Sequence, residues 1–301
     1  MRKTTAALSA LALSALALTG CGAAPGDGAS GCERNESAAL RMSVDATGEI
    51  GSPRVSLIAP APTSKVIYDD LIVGDGPAVR EHEQSVLGTV TLLSGATGQV
   101  LQTAAVLWSP RTMDAQLGGG ASLECATEGS RVAFAIPAAD LPEGMAAQAG
   151  LGADGSMVGT IDIQEVLLSR AEGRDVFNDA RGLPTVVRAP DGRPGIIIPD
   201  SAVPETTVTQ TLIEGRGAEV ADGAPLFHYT AVGWADRSVS ATSWDSGVVH
   251  DAGAVPEQVR DAIANSTVGS QVLVVLPEDD GDAHVYVVDV LGIVPPELIR
   301  G

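Results

Sequence analysis

The stretch EGSRVAFAIP (Glu128–Pro137) recurs later in the chain as VGSQVLVVLP (Val268–Pro277), with glycine, serine, valine and the closing proline in the same places. A second pair, LIVGDGPAV (Leu71–Val79) and LIEGRGAEV (Leu212–Val220), lies at nearly the same separation. Related stretches at a fixed spacing are the signature of an internal repeat. We therefore predict that the chain of 301 residues contains two copies of one unit, which also suits its length.

Both copies have the pattern of antiparallel β-structure with one short helix. Runs of β-branched residues bounded by glycine, proline or aspartate are typical of strands. GTIDIQEVL (Gly159–Leu167) aligns with YVVDVLGIV (Tyr286–Val294) on Asp162 and Asp289, and the second copy is shorter just before this strand. VPEQVRDAIAN (Val255–Asn265) has apolar residues at helical spacing after a proline. We predict an α+β fold in which each twisted antiparallel sheet wraps one short helix.

The first residues predict export and a lipid anchor. Residues 1–20 combine two basic residues with an apolar run that is too short to span a bilayer, which is the pattern of a secretory signal peptide. LTGC (Leu18–Cys21) resembles the lipobox of bacterial lipoproteins, which implies a lipid on Cys21 and a location in the cell envelope, on the outer face of the cytoplasmic membrane. The lipid is then the only membrane contact that we expect. Cys32 and Cys125 are the candidate disulfide pair in that oxidising compartment.

Composition divides the rest of the chain. We predict a flexible tether with the lipidated cysteine over residues 21–55, a first domain over 56–172, a linker rich in proline and glycine over 173–203, and a second domain over 204–301. Within the linker, PTVV and GIII are candidate edge strands.

Charge and metal-ligand patterns exclude several functions. A formal net charge of −20 repels phosphate backbones, so we expect no nucleic-acid partner. The acidic run EDDGDAH (Glu278–His284) lacks the twelve-residue pattern of a calcium loop and favours a solvated hairpin tip. The four histidines share no metal-ligand spacing, so no metal or other cofactor is expected.

The order of motifs in the second copy resembles that of the FKBP-type peptidyl-prolyl isomerase domain. The motifs are the GRG turn, the LFHYT strand, VPEQV at the helix start, VGSQVLVVLP and the closing VYVVDVLGI. The resemblance covers essentially all of residues 206–294 and, more weakly, residues 66–168. It implies two FKBP-like domains, cofactor-free peptidyl-prolyl cis–trans isomerase activity, and exported polypeptides or proline-containing peptides as partners.

The family's pocket is carried over only in part. Tyr229, Val255 and Val288 match its tyrosine, its valine before the helix and its last aromatic position, so they are the candidate catalytic residues. The floor tryptophan falls on Val259, or on Gln258 if the register shifts by one residue. The isoleucine whose N–H holds the substrate falls on Pro256, which has no N–H.

In the first copy, the tyrosine position falls near Leu92 and the tryptophan position near Gly119. Loss of the aromatic side chains removes the walls that would desolvate a proline ring. The resemblance together with these replacements implies catalysis that is weak or lost in the second domain and absent from the first.

Four of the nine aromatic residues lie between Leu226 and Trp244. Phe227 and Tyr229 alternate on one strand and share a face, which we assign to the core. His228 lies between them and is expected on the solvent side or at the edge. Trp234 and Trp244 flank a loop, where they form either a contact surface or a lid over the sheet edge.

The same features leave two classes of function open. The chain is either a peptidyl-prolyl isomerase-like lipoprotein that assists the folding of exported proteins, or a non-catalytic scaffold lipoprotein that uses the isomerase fold to bind a peptide or protein. A solute-binding lipoprotein is disfavoured because such proteins need larger α/β lobes.

Overall fold

The computed structural model describes residue 34 and residues 38–177, 180–221 and 223–295, all within one compact unit. These residues form four short α-helices: α1 (Ala38–Ser43), α2 (Pro110–Leu117), α3 (Met145–Gln148) and α4 (Glu257–Ala264). None of the helices in this part of the chain has both the length and the apolar character that crossing a membrane requires.

Strands make up most of the regular structure. In chain order they are β1 (Val44–Thr47), β2 (Arg54–Leu57), β3 (Ile67–Ile72), β4 (Val86–Ser94), β5 (Val100–Trp108), β6 (Arg131–Pro137), β7 (Ser156–Val166), β8 (Gly173–Asp175), β9 (Thr185–Arg188), β10 (Pro194–Ile197), β11 (Val208–Gly215), β12 (Ala224–Gly233), β13 (Val239–Thr242), β14 (Gln271–Pro277) and β15 (Ala283–Val294).

Two large antiparallel sheets repeat one strand order. The first sheet has the order β3-β6-β7-β4-β5, and the second has the order β8-β11-β14-β15-β12-β13. Apart from β8, each strand of the second sheet has an equivalent in the first. The predicted α+β fold of mainly antiparallel sheets with few helices is confirmed.

The two sheets also bulge at equivalent places. The pairing of β4 with β7 shifts register between Leu87 and Gly88, and the pairing of β12 with β15 shifts between Leu226 and Phe227. A shift of one residue moves every following side chain to the other face of the sheet. A bulge at the same place in both copies therefore keeps equivalent side chains on equivalent faces.

Local sequence sets the ends of α2. The Ser109 hydroxyl accepts the N–H of Thr112, and the Thr112 hydroxyl accepts the N–H of Ser109, so the two residues cap the helix reciprocally. Pro110 follows at the first helical position, where a missing N–H costs no hydrogen bond. Gly118 ends the helix at φ 74°, a left-handed conformation that glycine adopts without strain. The helix buries Met113 in the core of the first sheet.

The equivalent helix of the second copy, α4, begins after Pro256 with Glu257 in its first turn, where a negative charge favours the helix N-terminus. Val259, Ala262 and Ile263 are buried in the cluster that α4 shares with the second sheet. Their spacing places them on one face of the helix, as predicted.

A helix and a hairpin cover the outer face of the first sheet. Leu40 in α1 and Val44 in β1 are buried with Ala133 and Val158 of the sheet, and β1 pairs with β2. The prediction of a flexible tether over residues 21–55 is therefore wrong for its part from residue 38 onward, because apolar side chains there pack on the sheet. The signal peptide and Cys21 lie outside the described residues.

The segment predicted as a linker, residues 173–203, covers the second sheet in the same way. Its strand β8 pairs with β11 at the sheet edge. PTVV and GIII fall in β9 and β10, which pair with each other. Val186 and Ile196 of this hairpin pack against a cluster that contains Leu273 and Val285.

A buried ion pair fixes the first cover to its sheet. Arg131 and Asp162 have no solvent-exposed side-chain surface, and the guanidinium donates to both carboxylate oxygens at 2.6 and 2.7 Å. The same carboxylate accepts the N–H of Gly51 at 2.7 Å, and the guanidinium donates to the carbonyl of Glu49 at 3.0 Å. Both covering partners lie in the turn between β1 and β2.

The second sheet has a neutral version of this arrangement. Gln271 stands in place of Arg131 and donates to Asp289 at 2.7 Å, and the N–H of Ala171 donates to the other carboxylate oxygen at 2.8 Å. Burial raises the pKa of Asp289, and the hydrogen bonds from Ala171 and Gln271 oppose that rise.

We predict that two substitutions of Arg131 distinguish the contribution of its charge to stability from the contribution of its hydrogen bonds. Arg131→Leu leaves the Asp162 carboxylate buried without its cation and is expected to lower the free energy of unfolding by about 3–5 kcal/mol. Arg131→Gln reproduces the Gln271–Asp289 pair of the second sheet, and we expect its free energy of unfolding to fall clearly less than that of Arg131→Leu. Urea unfolding of both variants measures the difference, and equal losses would show that the cation is not what the site requires.

Candidate functional site

The three predicted site residues of the second copy lie together. Tyr229 on β12 and Val288 on β15 are directly opposite each other, and Val255 comes just before α4. All three contact one apolar cluster between α4 and the second sheet. Val255 and Val288 are buried, whereas Tyr229 is half-buried.

Side chains of the helix fill the space beside these residues. Val259 and Ile263 of α4 are almost fully buried in the same cluster. Arg260 donates to the carbonyl of Val255 at 2.9 Å, so this carbonyl already has a partner within the protein. Val255 and Val288 thus serve as core residues.

A row of aromatic rings crosses this face of the second sheet. Ring centroids lie 6.3 Å apart for Phe227 and Tyr229, 6.4 Å for Tyr229 and Tyr286, and 6.5 Å for Tyr286 and His284. Phe227 is fully buried, in line with its assignment to the core. Sequence reasoning missed Tyr286, although it precedes Val288 by two residues and so shares its face. Burial raises the pKa of Tyr286, and the nearby Tyr229 and Glu278 add to the rise.

His228 lies on the opposite face of β12 and is buried, so its predicted solvent-side position is wrong. The imidazole stacks on Trp244 with centroids 4.3 Å apart, and its Nδ1 lies 2.9 Å from the Ser243 hydroxyl. Burial, with a smaller contribution from the positive charge of Arg193, lowers the pKa of His228 to about 4. The ring is therefore neutral at pH 7.

The two loop tryptophans cover the second sheet. Trp234 is buried in the cluster that contains Leu273 and Val285, and Trp244 covers His228. Arg193 from the turn after β9 donates to the carbonyl of Trp244 at 3.1 Å and holds its loop in place. The sequence left open whether these tryptophans form a contact surface or a lid over the sheet edge, and in the structure both act as a lid.

A cavity of about 600 Å³ lies in the first copy, where the sequence predicted no site. The lining residues come from the first sheet, the end of α2 and the segment around α3. None of the described residues that line it is charged. They are Val90, Leu92, Leu101, Gln102, Ala104, Ala105, Val106, Trp108, Ala115, Gln116, Leu117, Pro142, Met145, Gln148, Ala149 and Met157.

The strand register shows why this cavity is open. Val90 lies opposite Ile161, just as Tyr229 lies opposite Val288, so Val90 and not Leu92 occupies the tyrosine position. The neighbour of Val90 on β5 is Ala104. A valine and an alanine leave free the volume that a tyrosine ring takes in the second copy.

One cavity wall comes from residues that the second copy lacks. The segment between β6 and β7 contains α3 and contributes Pro142, Met145 and Gln148 to the lining. The corresponding connection between β14 and β15 is a short hairpin. The difference in length was visible in the sequence and was the available signal for this site.

The floor of the cavity is held rigidly. Trp108 at the end of β5 is only 7 % exposed, and its indole N–H donates to the Gln116 side chain at 2.9 Å. A buried indole with its N–H satisfied presents an apolar surface. At Gly119, the predicted tryptophan position, an added Cβ would be 3.0 Å from both Ile136 and Met113, so a side chain there would require these two to shift.

Two other predicted sites have simpler outcomes. Cys125 is disulfide-bonded, but Cys32 lies outside the described residues, so their pairing stays a prediction. The acidic run falls on the turn between β14 and β15, where the N–H of Glu278 donates to the carbonyl of Asp282 at 2.8 Å. The described residues contain no group of side chains arranged to hold a metal ion.

No protein-family model matches the chain, and neither does any curated protein. Solved structures of FKBP-type proteins do match it. The three FKBP domains of wheat FKBP73 match 76% of this chain and 94% of their own length at 14% identity and a TM-score of 0.33. FkpA from Escherichia coli matches 34% of this chain and 47% of its own length, at 16% identity and a TM-score of 0.28. A peptidyl-prolyl cis–trans isomerase from Pseudomonas syringae matches 45% of this chain and 98% of its own length, at 13% identity and a TM-score of 0.29. Similarity at this level carries no chemical information.

We predict that His228 makes stability depend on pH. Its folded pKa, about 4, lies below its ordinary value of 6.5, so its contribution is complete above that value and is lost as pH falls toward 4. The full loss is about 3 kcal/mol. Urea unfolding of the native chain and of His228→Asn between pH 7.5 and pH 4 isolates this contribution, because other titrating groups affect both proteins. Parallel stability curves would contradict it.

Proposed function

We propose that the chain is a lipid-anchored, FKBP-like protein with two FKBP-like domains that binds extended apolar segments of exported polypeptides, proline-containing ones among them, with isomerase catalysis that is weak or lost. The binding site is the cavity of the first copy. The observation that carries this proposal is the uncharged lining around about 600 Å³ of open space.

The cavity has the size and chemistry of a ligand site. Binding sites for small ligands are commonly about 300–1,000 Å³ and mainly apolar, with a few polar groups that orient the ligand. Here the polar groups on the rim are the amides of Gln102 and Gln148. Amides bind a peptide backbone through hydrogen bonds without selecting a charge, which suits a protein with many unfolded clients.

Weak catalysis follows from the helix starts. Rotation about a prolyl bond crosses a barrier of about 18–20 kcal/mol. In the FKBP family, an N–H at the helix start holds the substrate while it rotates. Here Pro110 opens α2 and Pro256 precedes α4, and neither has an N–H. The cavity can thus bind a proline-containing segment without holding the carbonyl needed for turnover.

The location in the cell envelope is supported by the sequence alone. Residues 1–20 have the pattern of a signal peptide, and Cys21 occupies the lipidated position of a lipobox. A lipid anchor would keep the binding site near polypeptides that emerge from the membrane.

A purely structural role suits the second copy. Its equivalent space is filled by Tyr229 together with Val259 and Ile263 of α4. This observation favours the alternative of a non-catalytic scaffold for that half of the chain, which then supports or orients the binding half.

We predict that filling the cavity abolishes binding. Ala104→Phe places a ring between β5 and α2 and is expected to weaken binding of a rhodamine-labelled peptide of alternating leucine and threonine, with a lysine at each end, by about tenfold or more. Fluorescence anisotropy with the full chain measures the affinity.

Thr103→Phe is the matched control. Thr103 is the neighbour of Ala104 on β5, is exposed, and points to the opposite face of the strand. We expect the Thr103→Phe variant to bind the peptide with the same affinity as the native chain. Equal weakening in both variants, or none in Ala104→Phe, would exclude this cavity as the binding site.

We also predict that the full chain accelerates cis–trans isomerisation of a proline-containing tetrapeptide only slightly, while the same peptide competes with the labelled one for binding. A protease-coupled assay measures the rate. Turnover comparable to that of an ordinary FKBP-type isomerase would contradict the assignment of Pro110 and Pro256 as the cause of lost catalysis.

A further inference from the structure

We propose that the bound polypeptide adds to the first sheet as an extra strand along β5, with alternate side chains in the cavity. This inference rests on the proposed function and specifies its ligand: an extended segment with large apolar residues at every second position. Addition of a strand to a sheet edge is a general mode of peptide recognition, in which main-chain hydrogen bonds give affinity and pockets give specificity.

Among the edge strands of the two large sheets, β5 alone is long and uncharged. The strands β8 and β13 have only three and four residues. The edge strand β3 carries Asp69 and Asp70, which are paired with Arg41 and Arg34. Short length and charge are the usual means by which proteins protect sheet edges from other strands.

The strand β5 has neither protection. Its nine residues, VLQTAAVLW, include no charge and no proline. It pairs with β4 on one side, and none of the described strands pairs with it on the other. Val100 and Leu101 at its start are large apolar residues that are 47% and 37% exposed. A strand of this kind presents a row of backbone donors and acceptors to any extended chain.

The cavity lies over the same strand. Gln102, Ala104 and Trp108 lie opposite Leu92, Val90 and Val86 of β4, whose side chains enter the core, and Val106 shares their face; all four line the cavity. A strand added beside β5 would point every second side chain to that same face. Main-chain pairing and filling of the cavity are therefore satisfied by one extended ligand.

Volume and charge select the occupant. A second copy of this chain carries the same net charge of −20, which disfavours the pairing of two β5 strands, and the cavity of about 600 Å³ needs larger side chains than the alanines of β5. Leucine, methionine or aromatic side chains from another polypeptide fill it. The net charge of −20 further disfavours acidic segments and favours neutral or basic ones.

The experiment compares two N-methylated forms of the leucine–threonine peptide, measured by anisotropy with the full chain. In an added strand, the N–H groups of alternate residues point toward β5 and those between them point away. Methylation of all leucine nitrogens and methylation of all threonine nitrogens therefore block opposite edges. We expect one of the two peptides to lose binding by about tenfold or more and the other to bind nearly as well as the parent.

The outcomes separate the two proposals. If the unmethylated peptide does not bind, or binds Ala104→Phe as well as the native chain, the proposed function fails. If the parent binds in the cavity but the two methylated peptides have equal affinities, whether retained or lost, strand addition is wrong. Dimerisation in sedimentation experiments that is lost when the parent peptide is added would assign β5 to a second copy and would also overturn the inference.

Discussion

A carboxylate buried in the middle of each sheet is the constraint on which both halves of the structure depend. Removal of a carboxylate from water costs several kcal/mol unless partners replace its hydration. Asp162 and Asp289 each receive one partner from the neighbouring strand and one backbone N–H from outside the sheet: Gly51 of the first cover donates to Asp162, and Ala171 of the connection between β7 and β8 donates to Asp289. Neither carboxylate is satisfied until these segments are in place, so they are an integral part of the fold.

The buried carboxylates of the two copies have partners of different charge. Asp162 has a full positive charge from Arg131, whereas Asp289 has the neutral amide of Gln271. Because burial raises the folded pKa of Asp289 above its unfolded value, its contribution is complete below the unfolded pKa and is lost as pH rises through the folded pKa. Asp162 instead has a charged partner, and it is the first sheet that carries the open cavity.

The sequence predicted most of the frame and little of the site. Repeated stretches and period-two apolar runs located the strands because they are local signals. The cover segments were missed because their few apolar residues, such as Leu40 and Val186, gain meaning only from the sheet face that they contact. The cavity was missed because the tyrosine position is defined by strand pairing, in which Val90 rather than Leu92 lies opposite Ile161 on β7. His228 was misplaced because the stacking of Trp244 on its ring depends on how the loop after β13 folds back over β12, which the local pattern does not show.

Binding and catalysis place different demands on this fold, and under the proposed function the first copy meets only the demand of binding. Binding needs open apolar volume, which small residues such as Val90 and Ala104 provide in the first copy. Catalysis in the FKBP family additionally needs a fixed donor at the helix start, and the prolines there remove that donor from both copies; Pro110, at the first helical position, also favours the start of α2. Under the proposed function, a protein that keeps the volume and lacks the donor would bind a proline-containing segment without accelerating its isomerisation, and a lipid anchor would keep that complex at the membrane surface.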